Sequence, residues 1–130
     1  MLLAWNVYVE GLENRDLREI AAAIREQGTG FSGLRALGLA LPQRERMQIS
    51  MNLEDLELTC PFRVFEEIER RVAERAGRVV ETEVIGMAPD ELVLPAAANR
   101  LALRRFEPGR LLSARLGQFV ASRELSGPSP

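Results

Sequence analysis

Between residues 47 and 53 the chain alternates without a fault. Met47, Ile49, Met51 and Leu53 are apolar, and Gln48, Ser50 and Asn52 between them are polar. Successive side chains of a β-strand point to opposite faces, so a period of two demands a strand with one buried face and one polar face. A helix cannot satisfy that pattern. The chain must therefore build a sheet around this strand and a layer that covers one side of it.

The flanking segments supply both. Leu2 to Val9 reads as a first strand, with Leu3, Trp5, Val7 and Val9 on one face and Leu2, Ala4, Asn6 and Tyr8 on the other. Leu17, Ile20, Ala21 and Ile24 fall at i, i+3, i+4 and i+7, the single stripe of an amphipathic helix. Asn14 is placed to cap its start, Asp16 suits the positive end of its dipole, and Gly28 is placed to end it in a left-handed conformation. A second strand runs from Leu34 to Leu41 and stops at Pro42, which has no ladder N–H; Gln43 to Arg46 reads as a charged hairpin loop. After the alternating strand, Thr59 or Cys60 starts a second helix with Pro61 in its first turn. Its expected inward stripe is Phe65, Ile68, Val72 and Ala76, and Gly77 closes it. Val79 to Ile85 is a fourth strand, with Glu81 and Glu83 on one side and Val80, Thr82 and Val84 on the other. The rest is helical: Asp90 to Arg105, kinked or restarted at Pro95, then a last helix opening near Pro108 with the stripe Leu112, Leu116 and Phe119. Ser126 to Pro130 is expected to be a disordered tail, which leaves residues 1–125 as one domain.

Strand, helix, strand, strand, helix, strand is the order of an α+β, ferredoxin-like βαββαβ antiparallel sheet, here with added C-terminal helices. Right-handed crossovers put both long helices on one face. The polar residues Gln48, Ser50 and Asn52 then belong on the opposite face, joined there by Asn6 and by Glu81 or Glu83. Such a face is solvated or it meets a ligand, another domain or the C-terminal helices.

Composition removes most catalytic chemistry. The chain has no His, and all 17 of its basic residues are Arg. That excludes an imidazole base, a zinc-binding imidazole, a Schiff-base amine and a phosphate-loop lysine. Ser50 and Ser113 have no His partner, so a serine triad is excluded in its usual form. A net charge of −2 with scattered Arg disfavours nucleic acid as a partner. No apolar run approaches the roughly 20 residues that span a bilayer, so no membrane partner is expected. The lone Cys60 cannot form an internal disulfide, which fits a reducing, cytoplasmic setting. Cys60 at a helix start invites a thiolate reading, but a plain helix-start residue beside Pro61 explains it. Glu81 and Glu83 suggest a base or a metal site, yet a solvated strand face accounts for them and no metal is expected. The glycines around Thr29 follow a helix and precede a strand, the reverse of a nucleotide loop, so a lid or a helix cap is the alternative. Asn6 is a carboxamide in a strand otherwise apolar and aromatic, a side chain able to donate and accept at a ligand.

Five blocks occur in order: Leu2-Leu3-Ala4-Trp5-Asn6-Val7, Arg25-Glu26-Gln27-Gly28-Thr29-Gly30, Gln48-Ile49-Ser50-Met51-Asn52-Leu53, Arg63-Val64-Phe65-Glu66 and Glu83-Val84-Ile85-Gly86-Met87-Ala88-Pro89. Together they resemble the C-terminal subdomain of glutamate formiminotransferase, an enzyme of histidine degradation and one-carbon metabolism. The resemblance implies formimino transfer from N-formimino-L-glutamate to tetrahydrofolate as substrate, in a dimer whose two ferredoxin-like subdomains enclose a folate tunnel. It assigns folate binding to Leu2, Leu3, Ala4, Trp5 and Asn6; Gln48, Ser50 and Asn52, placed on the uncovered face by their alternation, are candidate contacts there. The catalytic His of the family belongs to the preceding, N-terminal subdomain. No catalytic residue is therefore expected here, and the chain alone should be inert. The alternative is a stand-alone ferredoxin-like binding or dimerisation module without catalysis. A third reading, an unrelated enzyme using Glu81 or Glu83 as base, finds no partner residues.

Overall fold

A computed structural model describes residues 2–28, 30–41, 46–103 and 111–125. Nine elements follow in order: β1 (Leu3–Glu10), α1 (Asn14–Ile24), a 3-10 turn (Glu26–Gly28), β2 (Leu34–Leu41), β3 (Arg46–Leu53), α2 (Pro61–Glu74), β4 (Arg78–Ile85), α3 (Asp90–Arg100) and α4 (Leu112–Leu125). The chain forms two compact units, residues 1–93 and 94–130. Of the expected hairpin loop from Gln43 to Arg46, residues 43–45 lie outside the described residues, as do Pro108 and the tail from Ser126, whereas Arg46 opens β3.

In the first unit the strands form one antiparallel sheet in the order β2-β3-β1-β4. This is the expected α+β, ferredoxin-like arrangement. Leu3, Trp5, Val7 and Val9 of β1, Ile49, Met51 and Leu53 of β3, and Leu34 and Ala36 of β2 are buried with Leu17, Ile20, Ala21 and Ile24 of α1 and Val64, Ile68 and Val72 of α2. A single core thus lies between one face of the sheet and both helices. Burying a Leu, Ile or Val side chain contributes about 1.5–3 kcal/mol, so this layer supplies the main driving force for the fold. Close approach is built in at Gly38, where an added Cβ would lie 2.9 Å from the Leu17 side chain and 3.1 Å from its carbonyl oxygen. Any larger residue there would push α1 off β2.

Local chemistry corrects several boundaries. The first helical residue is Asn14 itself; Glu13 holds the cap position and no side chain bonds the orphan N–H groups. α1 ends at Ile24, well before Gly28, and the chain is turned by backbone bonds from Gly30 N to Arg25 O (3.2 Å) and Phe31 N to Ile24 O (2.8 Å). Gly30 is the glycine this turn requires, because a Cβ would meet the Ile24 carbonyl oxygen at 2.0 Å. The cap of α1 is Arg25, whose N–H bonds the Ala21 carbonyl, and Gly30 and Phe31 then bond back to the end of the helix. Gly33 adopts a φ of 73°, and Thr59, buried, donates its hydroxyl hydrogen bond to the Ser32 carbonyl at 2.7 Å, which ties this connection to the start of α2.

α2 starts with Cys60 at the cap and Pro61 in the first turn, as expected. Its buried stripe is Pro61, Val64, Ile68 and Val72; Phe65 is half-buried against it. Ala76, expected in the stripe, lies past the helix end with φ 59°. β4 contains a bulge: Tyr8 pairs with Glu81, but Val9 pairs with Val79, so Val80 is an extra residue. The bulge switches the alternation, and Val79 rather than Val80 packs against the core.

In the second unit the remainder of α3 follows Pro95, which the helix incorporates without a break. α4 carries the expected stripe Leu112, Leu116 and Phe119, and all three are exposed. Arg123 lies over the Phe119 ring, 5.4 Å from its centroid.

Candidate functional site: the polar face of the sheet

Residues paired across an antiparallel ladder share a face, so the register sorts every strand residue. Facing the helices are Trp5 with Met51 and Val84, and Val7 with Ile49 and Thr82. Three rows cross the opposite face. The first is Arg35, Asn52, Ala4 and Ile85; the second Leu37, Ser50, Asn6 and Glu83; the third Leu39, Gln48, Tyr8 and Glu81. Gln48, Ser50 and Asn52 therefore stand where their alternation put them, and Asn6 joins them. Both Glu81 and Glu83 are there too.

The opposite face is chemically uneven. β2, at the edge, contributes the exposed Leu37 and Leu39. The middle strands contribute hydroxyl and carboxamide groups. Among the described residues, no side-chain hydrogen bond or ion pair engages Asn6, Gln48, Ser50 or Asn52. On β4 the two carboxylates have different company. Glu81 is ion-paired with Arg46. Glu83 accepts a hydrogen bond from the Tyr8 hydroxyl at 3.4 Å, and Tyr8 itself is buried. Donors and acceptors left unpaired on a sheet face can read a polar ligand, with the flanking apolar residues supplying contact area.

The strand β1 splits the five residues assigned to folate. Leu2 precedes β1 and is exposed. Leu3 and Trp5 are buried beneath the helices, where the Trp5 ring lies 6.1 Å from that of Phe65 and its indole N–H has no hydrogen-bond partner among the described residues. Only Ala4 and Asn6 present their side chains to the opposite face, and both are half-buried. Because β1 pairs on both sides, the backbone of Leu3 and Trp5 serves the sheet rather than a ligand. Sequence reasoning left out Ile85 and Arg46 as members of this face and gave Tyr8 no role on it. Alternation already placed Tyr8 beside Asn6, but its link to Glu83 depends on a register between strands some 75 residues apart in the chain.

Cys60 is half-buried at the cap of α2 and belongs to none of these rows. Among the described residues, no three His, Cys, Asp or Glu side chains gather where they could hold a metal ion. No described helix is long and apolar enough to cross a membrane.

A family model described as the formiminotransferase domain matches residues 4–105. The chain is 29% identical over 115 residues to a glutamate formimidoyltransferase of Thermoplasma acidophilum, covering 88% of this chain and 38% of that protein. It is 33% identical over 107 residues to a glutamate formimidoyltransferase of Streptococcus pyogenes serotype M1, covering 82% and 36%. Against a formimidoyltransferase-cyclodeaminase of Sus scrofa it is 34% identical over 128 residues, covering 89% and 24%. The chain thus spans little more than a third of the length of the two microbial relatives. With the family model matching most of the chain and the sheet in the matching region intact, this chain belongs to the formiminotransferase domain family.

Proposed function

We propose that the chain is one wall of a formimino-transfer site. Its polar sheet face binds tetrahydrofolate as the acceptor substrate, and a His-bearing companion subdomain completes the site for transfer from N-formimino-L-glutamate. The observation that supports this reading is the row Ser50, Asn6 and Glu83, polar groups on the face that α1 and α2 leave to others, in a chain of this family. Asn6 and Ser50 donate to and accept from the ligand; Ala4 gives room beside them; Leu3 and Trp5 hold the strand from below. The chain itself has no His and no Lys, so it offers neither an imidazole nor an amine as a base near pH 7.

An NMR titration of the ¹⁵N-labelled chain with 5-formyltetrahydrofolate tests the wall. Amide shifts should concentrate at Ala4, Asn6, Ser50 and Glu83, and Asn6→Ala should weaken binding by about tenfold, the worth of one good hydrogen bond at a ligand. Shifts confined to α1 and α2, or none at millimolar ligand, would sink the reading.

A second reading, self-association, is favoured by Leu37 and Leu39, exposed by 57% and 38% on the unpaired edge strand. A stable dimer in sedimentation whose formation blocks the folate-induced shifts would favour it over the first.

A further inference from the structure

We infer that Glu83, assisted by Asn6 and positioned by Tyr8, selects the heterocycle that this face binds: a ring carrying a 2-amino-4-oxo pyrimidine edge. The inference rests on the folate reading above and adds the residue that reads the ligand. Asn6 of the central strand β1 and Glu83 of the edge strand β4 are direct register partners, so their Cβ atoms stand about 4.5–5.5 Å apart on the same face. The Tyr8 hydroxyl, from the next row, donates to Glu83 Oε2 at 3.4 Å and leaves Oε1 open.

The contrast with Glu81 is informative. Two carboxylates share one strand face two residues apart, yet only Glu81 is neutralised by an Arg within the described residues. No ion pair among the described residues involves Glu83. An ionised carboxylate is an acceptor with two oxygens, and it is matched best by two parallel N–H donors. A 2-amino-4-oxo pyrimidine ring offers that pair in its amino N–H and adjacent ring N–H, followed at once by a carbonyl acceptor. The carboxylate of Glu83 fits the two donors, and the carboxamide of Asn6 beside it donates to the carbonyl. The order donor, donor, acceptor on the ligand thus meets acceptor, acceptor, donor across β4 and β1. Ala4 and Ile85 occupy the adjoining row, an apolar strip along which the ring can lie. Ser50, on the other side of Asn6, is a neutral hydroxyl and cannot replace the carboxylate.

Such a site should reject a ligand that lacks the amino group, because Glu83 is then left without its donor. Dissociation constants of the full chain for 5-formyltetrahydrofolate and for its 2-desamino analogue, from NMR titration, give the preference. The wild-type chain should favour the amino compound by about 10–100-fold, the range expected for hydrogen bonds to a charged group. Glu83→Gln should abolish most of that preference, whereas Glu81→Gln should leave it intact. Thermal melts establish that both exposed substitutions keep the fold. A Glu83→Gln chain that retains the preference, or that weakens both ligands equally, overturns the inference while the folate reading stands. A wild-type chain that binds neither compound overturns both.

Discussion

Ala76 adopts φ 59°, in the left-handed region where an L-residue other than glycine is strained, and it does so to end α2. The N–H of Gly77 donates to the carbonyl of Val72 at 3.0 Å and that of Ala76 to the carbonyl of Ala73 at 3.0 Å, the paired bonds of a Schellman termination. Glycine stands one residue too late to take the left-handed position, because Gly77 answers a different demand. A Cβ there would lie 2.6 Å from the Leu12 side chain and 2.9 Å from the Glu10 carbonyl oxygen. Urea denaturation should therefore separate two adjacent substitutions. Ala76→Gly should raise stability by about 1 kcal/mol by removing the Cβ clash of the left-handed conformation. Gly77→Ala should lower it by about 1–3 kcal/mol through overpacking against Leu12. The same termination recurs at the end of α3, with Ala102 at φ 54° and Leu103 N bonded to Ala98 O at 2.9 Å.

At the scale of elements, α2 shows how a charged helix face is organised. Glu67 accepts hydrogen bonds from Arg70 and from Arg71, and Arg70 also reaches Glu74. The Arg70 guanidinium foremost, with Arg71 adding to it, holds the Glu67 carboxyl below the usual carboxylate range, against a smaller opposing effect of burial. Its proton affinity is therefore lower in the folded than in the unfolded chain. The stabilisation is present above the unfolded value near 4.5 and is lost as pH falls through the folded value. Comparing thermal melts at pH 7 and pH 3, Glu67→Gln should show a smaller acid-induced loss of stability than the wild-type chain. Glu19 is lowered likewise by Arg15, but it is fully exposed and salt will screen it first. β4 shows a different rule at work. Its bulge at Val80 reverses the alternation for Arg78 and Val79, so that Val79 packs inward while Arg78 bonds Glu10 at 2.7 Å across the ladder. No local pattern in Arg78 to Ile85 announces an inserted residue, because the bulge is defined by the partner strand.

Among the described residues of the first unit, one core serves one face of the sheet, and the polar side chains that the folate reading uses, Asn6, Ser50 and Glu83, stand on the other. A chain without His or Lys that spans about a third of its microbial relatives is expected to be catalytically silent by itself. Mixing it with a His-bearing companion subdomain on a separate chain should restore transfer from N-formimino-L-glutamate to tetrahydrofolate, followed by the absorbance of the product. Turnover by this chain alone would contradict that arrangement.

The sequence by itself determined the βαββαβ order, the stripe of α1, the inward face of β1 and the side on which Ser50 and Asn52 stand. Each of these follows from periodicity, which is local and needs no knowledge of neighbours. Only the tertiary structure decided that Asn6 stands between Ser50 and Glu83, that Val80 is the extra residue of a bulge, and that among the described residues Glu81, but not Glu83, is ion-paired with an Arg. Those facts depend on strand register, which is set by packing between segments distant in the chain and so leaves no mark within any one of them.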